Sequence, residues 1–335
     1  MHIDPILMMG GSGAIGRLSA EVLRDRHPDL RLLIAGRDLA KAQSTAAELG
    51  NAEAVVLDLD ATDLGLGSRR VGAVSVFHSD ERLAGLRFAN EHGLPHLGIS
   101  SGIFEIAPEI ATFMHNPKAG AVVLAYEWLV GATTVSALKL SQSFTRVDSI
   151  KIGALVDEED GGGPAVAEDF KRLSKLMPAA LTRRDGAYVW REGEGAQAIF
   201  HAIDGTEVKA SGFSSIDVAG LATATGAKNV RFDLATGISS TRRRGEPKST
   251  EIIIELSGEG MDGRLLETRH AVFHPGGAAP LTAMGVAAIL ERLTGIDGGK
   301  PTPPGLYFPY QLLEAERYLQ RLEAAGGSLL TLSLV

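Results

Sequence analysis

The sequence predicts an α/β fold, a doubly wound parallel sheet followed by a second domain of α+β type, and three observations carry that reading. A turn with glycines at 11, 13 and 16 directly follows a short apolar run. Apolar runs and helical segments then alternate as far as residue 125. From about Asp148 the alternation stops, and strand-like segments predominate.

Taken in order, Ile6-Leu7-Met8-Met9 is a buried strand that breaks into Gly10-Gly11-Ser12-Gly13-Ala14-Ile15-Gly16. Gly11 permits a tight turn out of the strand, Gly13 lets backbone come close to a pyrophosphate, and Gly16 lets helix pack on strand. The N–H groups that open a helix have no partner within it, so Ser12, Ala14 and Ile15 complete an anion-binding turn with the glycines. Ile15, Leu18, Val22 and Leu23 then form the apolar face of a helix reaching Asp25. A second strand, Arg31 to Ala35, ends in Gly36-Arg37-Asp38, and an alanine-rich helix runs from Leu39 to Leu49. Strands follow at 54–57, 73–77, 96–99 and 121–125, with helices at 81–92 and 105–114. Parallel strands need crossover helices and are covered on both faces, so this alternation predicts the doubly wound sheet of a Rossmann domain.

The second half reads differently. Strand-like segments occupy 149–156, 186–191, 197–202, 229–234, 250–257 and 264–273, with helices at 165–176 and 216–225. The last two strands, joined by Gly258-Glu259-Gly260-Met261-Asp262-Gly263, form an antiparallel hairpin. A helix at 281–293, a loop containing four prolines, a helix at 309–324 and an apolar run at 328–335 close the chain. The expected organisation is a Rossmann domain over 1–130 and an α+β domain on a mostly antiparallel sheet over 131–278. Helices in 279–335 are expected to pack back on the first domain.

Composition narrows the function classes. The 335 residues are 44% hydrophobic and 22% charged, which suits an ordinary globular protein. No apolar run approaches the ~18 residues of a membrane span, and the N-terminus lacks a basic and then apolar leader, so a cytoplasmic protein is expected. The net charge of -8 disfavours nucleic acid. With no cysteine, disulfides and thiolate chemistry are excluded. His201, His270 and His274 lack metal-ligand spacing, so no metal site is expected.

A dinucleotide turn meets the adenosine ribose about 20 residues beyond its glycines, and Arg37 stands 21 positions after Gly16. Its planar fork suits a 2'-phosphate, and Lys41 adds a second positive charge, so NADP is favoured over NAD. Asp38, one place late for a ribose hydroxyl, keeps NAD open. Asp58 either accepts from the adenine amino group or caps a turn.

These residues resemble the saccharopine dehydrogenase-like oxidoreductases. The similarity rests on Gly10–Gly16, on Ala35-Gly36-Arg37-Asp38 with Lys41, on 93–100, on Gly131-Ala132-Thr133-Thr134, and on Thr282-Ala283-Met284 in the last quarter. The resemblance implies a Rossmann domain wrapped around a second α/β domain, hydride chemistry, and a homodimer. Two departures stand out: His78 follows the fourth strand where an Asn is common in the family, and His96-Leu97-Gly98 replaces its Tyr-x-Asp. They leave a second reading open, a protein that binds NADP(H) as a redox sensor without turnover.

In a doubly wound sheet the ligand lies beyond the carboxyl ends of the strands. That selects Phe77, His78 and Ser79 beside a nicotinamide, then Ser100 and Ser101, and finally Tyr126, Glu127 and Trp128. His78, Tyr126 and Glu127 are the catalytic candidates. The imidazole and the phenol are proton donors, although His78 equally suits a hydrogen bond to cofactor or backbone, and Glu127 either holds an amine or pairs with an arginine. Trp128 reads as a packing wall. Arg242-Arg243-Arg244 reads either as a carboxylate or phosphate clamp on a small-molecule substrate or as a flexible exposed loop.

Overall fold

The computed structural model describes residues 3–161, 163–176 and 178–335. The chain begins with β1 (Ile6–Met9), α1 (Ala14–Arg26), β2 (Leu32–Gly36), α2 (Leu39–Leu49), β3 (Ala52–Val56), β4 (Ala73–Val76), α3 (Ala84–His92), β5 (His96–Gly98), α4 (Ile106–His115) and β6 (Ala121–Leu124). It continues through α5 (Ala132–Ser141), β7 (Phe144–Asp157), α6 (Pro164–Leu176), β8 (Ala180–Arg184), β9 (Ala187–Arg191), β10 (Gln197–His201), β11 (Glu207–Gly212), α7 (Asp217–Thr225), β12 (Asn229–Gly237) and α8 (Ser240–Arg243). It ends with β13 (Thr250–Gly260), β14 (Leu265–His274), α9 (Ala278–Thr294), β15 (Gly305–Tyr307), α10 (Pro309–Leu312), α11 (Ala315–Ala324) and β16 (Ser328–Leu332). Two compact units result: Met1–Tyr126 with Thr282–Leu313, and Glu127–Leu281 with Glu314–Val335.

In the first unit seven parallel strands lie in the order β15-β6-β5-β4-β1-β2-β3. The six expected strands are present, and β15 adds a seventh beside β6 from within the proline-rich loop. Leu7, Met9, Leu33, Ala35, Val74 and Val76 project from one face and are covered by Phe88 and Ala89 of α3 and by Leu64 and Leu66. Helix α1 departs from the expected face. Gly16, Ser19, Ala20 and Leu23 are buried, while Ile15, Leu18 and Val22 are only half-buried. The buried stripe starts at the glycine turn, where helix and strand are too close for large side chains. At the other end of α1, the wholly buried Glu291 of α9 accepts from Arg26 (2.7 Å) and meets His27 at 3.0 Å.

The second unit is a nine-stranded, mostly antiparallel sheet. Its main path is β10-β11-β12-β7-β13-β14-β16, with the β8–β9 hairpin attached through β12. Only β7 and β12 pair in parallel among the described strands. The final segment departs from the expectation that 279–335 packs on the first domain. Strand β16 pairs with β14 of the second sheet, and α11 packs on α5. Register explains the return, since Ser328–Leu332 supplies a partner for a strand that otherwise presents a bare edge. The expected helix at 309–324 is broken at Leu313 and Glu314, and Glu314 caps α11 by accepting from the Glu316 and Arg317 N–H groups. No described helix is long and apolar enough to cross a membrane.

Buried carboxylates anchor the second unit. Asp157 accepts from the Ser239 and Glu159 N–H groups and from Arg242, which together hold its pKa down at about 2 although burial opposes them. Asp217 is wholly buried at the start of α7, accepting from the Trp128 N–H (2.8 Å) and the Ser215 hydroxyl. Burial pushes its carboxyl up to about 6 against those donors. Between its ordinary value of 3.8 and about 6 the native state keeps a proton that the unfolded chain has released, so Asp217 makes stability fall as pH rises through that window. The expected outcome for Asp217→Asn is loss of this component of the slope, measured by thermal unfolding at half-unit steps from pH 4 to pH 7.

Candidate functional site

The first unit's strand register brings its candidate residues to one edge. Met9, last in β1, stands opposite Ala35 of β2 and Val76 of β4. Val76 stands opposite Gly98 of β5, Gly98 opposite Leu124 of β6, and Gly36 opposite Val56 of β3. Gly10, Arg37, Asp58, Phe77, His78, Ser79, Ser100 and Tyr126 therefore all emerge beyond the carboxyl ends of the strands. The sequence runs away from β1 in opposite directions on its two sides, so a topological switch point lies between β1 and β4, where open parallel sheets bind ligands.

The glycine turn is shaped by close backbone approach. Gly10 takes the turn, with φ +85 in the left-handed region, and its N–H donates to the Ala35 carbonyl at 2.7 Å. The tight turn assigned to Gly11 thus belongs to Gly10. Gly11 instead folds back on its own strand, where a Cβ would lie 2.9 Å from Met8. A Cβ on Gly16 would lie 2.5 Å from the Gly10 carbonyl oxygen and 2.7 Å from the Gly11 Cα. Helix α1 starts at Ala14 with no side-chain cap and no acidic residue in its first turn. Its first N–H groups thereby suit an external anion such as a pyrophosphate, and Ser12, Gly13 and Ala14, none of them fully buried, border that space.

Arg37 is exposed, and among the described residues no carboxylate pairs with it. Asp38 caps α2 by accepting the Lys41 N–H at 3.0 Å, which leaves the Lys41 ammonium on the surface. Asp58 performs the turn role foreseen for it, accepting the Asp60 N–H at 3.0 Å.

His78 lies against the glycine turn, its Cδ2 3.3 Å from where a Gly10 Cβ would stand. Its Nδ1 meets the Ser79 carbonyl oxygen at 2.9 Å. A carbonyl only accepts, so the neutral ring carries its proton on Nδ1 and presents a lone pair at Nε2. The backbone tether expected as one alternative is therefore present. Phe77 is buried behind it, and its N–H donates to the Met9 carbonyl at 2.9 Å.

Tyr126 belongs to a polar cluster that sequence reasoning missed. Its hydroxyl donates to Glu109 Oε1 at 2.7 Å, and the Ser101 hydroxyl donates to the same oxygen at 2.8 Å. Glu109 is 6% exposed, and among the described residues its Oε2 has no hydrogen-bond partner. Burial raises the Glu109 carboxyl above its ordinary range, with Tyr126 and Ser101 opposing that shift. Burial and the adjacent carboxylate hold the Tyr126 phenol well above 10, so it stays protonated. At Gly98 a Cβ would stand 2.9 Å from the Tyr126 hydroxyl, so glycine there makes room for the phenol. His96, on the same strand, is buried with both ring nitrogens lacking partners, and burial pushes its pKa down to about 3. The signal for Glu109 was present in the sequence: it is an acid on the Ile106, Ile110, Phe113 stripe of an otherwise apolar helix.

The remaining candidates lie in the second unit. Glu127 is 3% exposed and accepts from the Thr134 hydroxyl of α5. Trp128 packs edge-on against Phe213 and Phe232, in line with its reading as a packing wall. The arginine run is a helix with its charges engaged, not a flexible loop or a free clamp. Arg242 pairs with Asp157 (2.8 Å), Glu158 and Glu159, Arg243 with Asp204 (2.7 Å), and Arg244 with Glu246 (3.1 Å).

No family model matches the chain, and no curated protein matches it. Its fold does have counterparts among solved structures. Apo saccharopine dehydrogenase (L-Glu forming) from Saccharomyces cerevisiae is similar at a TM-score of 0.71 and 14% identity, over 99% of this chain and 100% of that one. Homospermidine synthase from Legionella pneumophila, in complex with NAD, is similar at 0.62 and 8% identity, over 99% and 91%. The chain thus has a saccharopine dehydrogenase-like fold.

Gly16→Ala tests the turn. Its Cβ meets backbone rather than a flexible side chain, so we expect a loss of about 1–3 kcal/mol in denaturant unfolding.

Proposed function

We propose that this protein is an oxidoreductase that binds a nicotinamide dinucleotide, prefers NADPH, and moves a hydride to or from a C=O or C=N carbon of a small polar substrate. The observation that carries this reading is the convergence of Gly10–Gly16, Arg37 and His78 at one edge of the parallel sheet. The bound nicotinamide supplies the hydride chemistry. The protein's own residues supply position and protons.

In this reading the turn from Gly11 through Gly16 holds the pyrophosphate on the N–H groups that open α1. Arg37 and Lys41 hold a 2'-phosphate. Asp38, committed to the cap of α2, is less suited to a ribose hydroxyl. Asp58 borders the adenosine, and Phe77, His78 and Ser79 border the nicotinamide. His78 Nε2, the ring nitrogen left open by the Nδ1 contact, takes a proton when an alcohol or amine is oxidised and returns one when a C=O or C=N group is reduced. Glu109 is the second proton-transfer candidate, because its buried Oε2 has no partner among the described residues while Oε1 is held by Tyr126 and Ser101. We assign Tyr126 to positioning Glu109, and Glu127 to the buried framework around α5.

Fluorescence titration with NADPH and NADH tests the cofactor. A charge-assisted contact is worth about 1.5–3 kcal/mol, so Arg37→Ala is expected to weaken NADPH binding by about tenfold to a hundredfold and to leave NADH unchanged. Equal effects on both nucleotides, or none, overturn the NADP assignment.

A substrate screen that follows NADPH absorbance separates the enzyme from a sensor, since a sensor binds nucleotide and oxidises none. With an active substrate, His78→Ala and Glu109→Gln are expected to lower kcat by about 10²-fold or more, the usual scale for removing a proton-transfer group. Tyr126→Phe removes a hydrogen bond that lowers the Glu109 carboxyl, so the limb of the pH profile that Glu109 controls is expected to move to higher pH, with a smaller loss in kcat. Full hydride transfer by His78→Ala removes that residue from the reaction.

A further inference from the structure

The second unit contains a basic cavity that the proposed oxidoreductase reaction does not use. It has a volume of about 230 Å³ and lies between the β7–β12 pair, the β8–β9 hairpin, and Gly195 and Gln197 at the entry to β10. In the parallel register of β7 and β12, Ser149 stands opposite Asn229 and Lys151 opposite Arg231. Strand alternation puts these four side chains on one face. The hairpin adds Arg183, Arg184 and Arg191.

Five cations thus line the cavity and no acidic residue does, in a chain whose net charge is -8. Part of that charge is met from outside the lining. Asp233 takes Arg191 and Arg231, both at 2.9 Å, and Glu255 stands 3.7 Å from Lys151. A surplus of positive charge remains. Arg191 is held rigidly, being 7% exposed, with its Nε on the Thr182 hydroxyl at 2.6 Å and its Nη2 on Asp233. Arg183 lies over the Tyr188 ring, 5.3 Å from its centroid, and its Nε is buried without an acceptor. Gathering like charges at fixed positions costs stability unless an anion completes them, and a buried guanidinium N–H without an acceptor adds to that cost.

We infer that this cavity binds a small polyvalent oxyanion, whose oxygens accept from the guanidinium of Arg183 and from Lys151, Arg184 and Arg231, while Arg191, its Nε and Nη2 already engaged, contributes fixed positive charge. Planar forks match phosphoryl and carboxylate oxygens in pairs. The volume is below the roughly 300–1,000 Å³ of pockets for drug-sized ligands, which favours a compact anion and excludes a whole dinucleotide. Every residue of its lining belongs to the second unit.

Isothermal titration calorimetry of the full chain with pyrophosphate and with citrate, in a low-salt buffer free of both, tests the inference. The expected result is saturable binding of one citrate per chain, and of pyrophosphate in a component beyond any that the glycine turn of the first unit takes, each weakened at least tenfold in both Arg183→Gln and Lys151→Gln, with NADPH binding unaffected in either variant. Lys151 is exposed on its strand, so its variant keeps the test decisive should Arg183→Gln not fold. Binding of pyrophosphate alone assigns phosphoryl groups, binding of citrate alone assigns polycarboxylates, and binding of both assigns oxyanions as a class. Absence of binding at millimolar anion, or binding that both variants leave unchanged, overturns the inference.

Discussion

The position of β1 between β2 and β4 is the constraint on which the rest of the first unit depends. Met9 ends level with Ala35 and Val76, so the chain leaves three adjacent strands at the same height. A one-residue slip of β1 turns Leu7 and Met9 away from Phe88 and moves the glycine turn off the edge where His78 emerges. Strands buried on both faces tolerate no such slip, because every side chain of β1 is fully buried. Core packing thereby fixes the height of the turn, and the turn fixes where the N–H groups that open α1 emerge.

Burial then decides which polar groups are held and which are left open. Glu109, Tyr126 and Ser101 share one carboxylate oxygen, and this leaves Oε2 of a buried acid without a partner. Such a group is costly in a purely structural role. Asp157 shows the contrasting case, a buried carboxylate with donors enough to keep it ionised far below neutrality. The two acids differ in what surrounds them: Asp157 has donors on both oxygens, and Glu109 has described donors on Oε1 alone.

Charge in the second unit follows the same distinction. The consecutive arginines 242–244 are prominent in the sequence, yet each meets a carboxylate of its own chain. The cations around the cavity are dispersed from Lys151 to Arg231 and look unremarkable along the chain. They gather because β7 and β12 pair in parallel and the β8–β9 hairpin folds beside them.

Local chemistry made much of the fold legible. Apolar runs between helices gave all six expected strands of the first sheet, and glycine spacing gave the turn, because those features are set by neighbours along the chain. Arg37 and His78 were legible for the same reason, each lying directly after a strand. Longer-range pairing was not. That β15 joins the first sheet while β16 returns to the second depends on which strand edges lie bare, and strands of three and five residues carry little period of their own. Only the tertiary structure gave the turn to Gly10 rather than Gly11, since the sign of φ is a property of the backbone path. Only it joined Tyr126 to Glu109 across 17 positions. The sequence by itself determined a doubly wound sheet with a glycine turn after its first strand; packing decided which acids and arginines are satisfied within the protein and which are not, because that depends on partners distant in sequence.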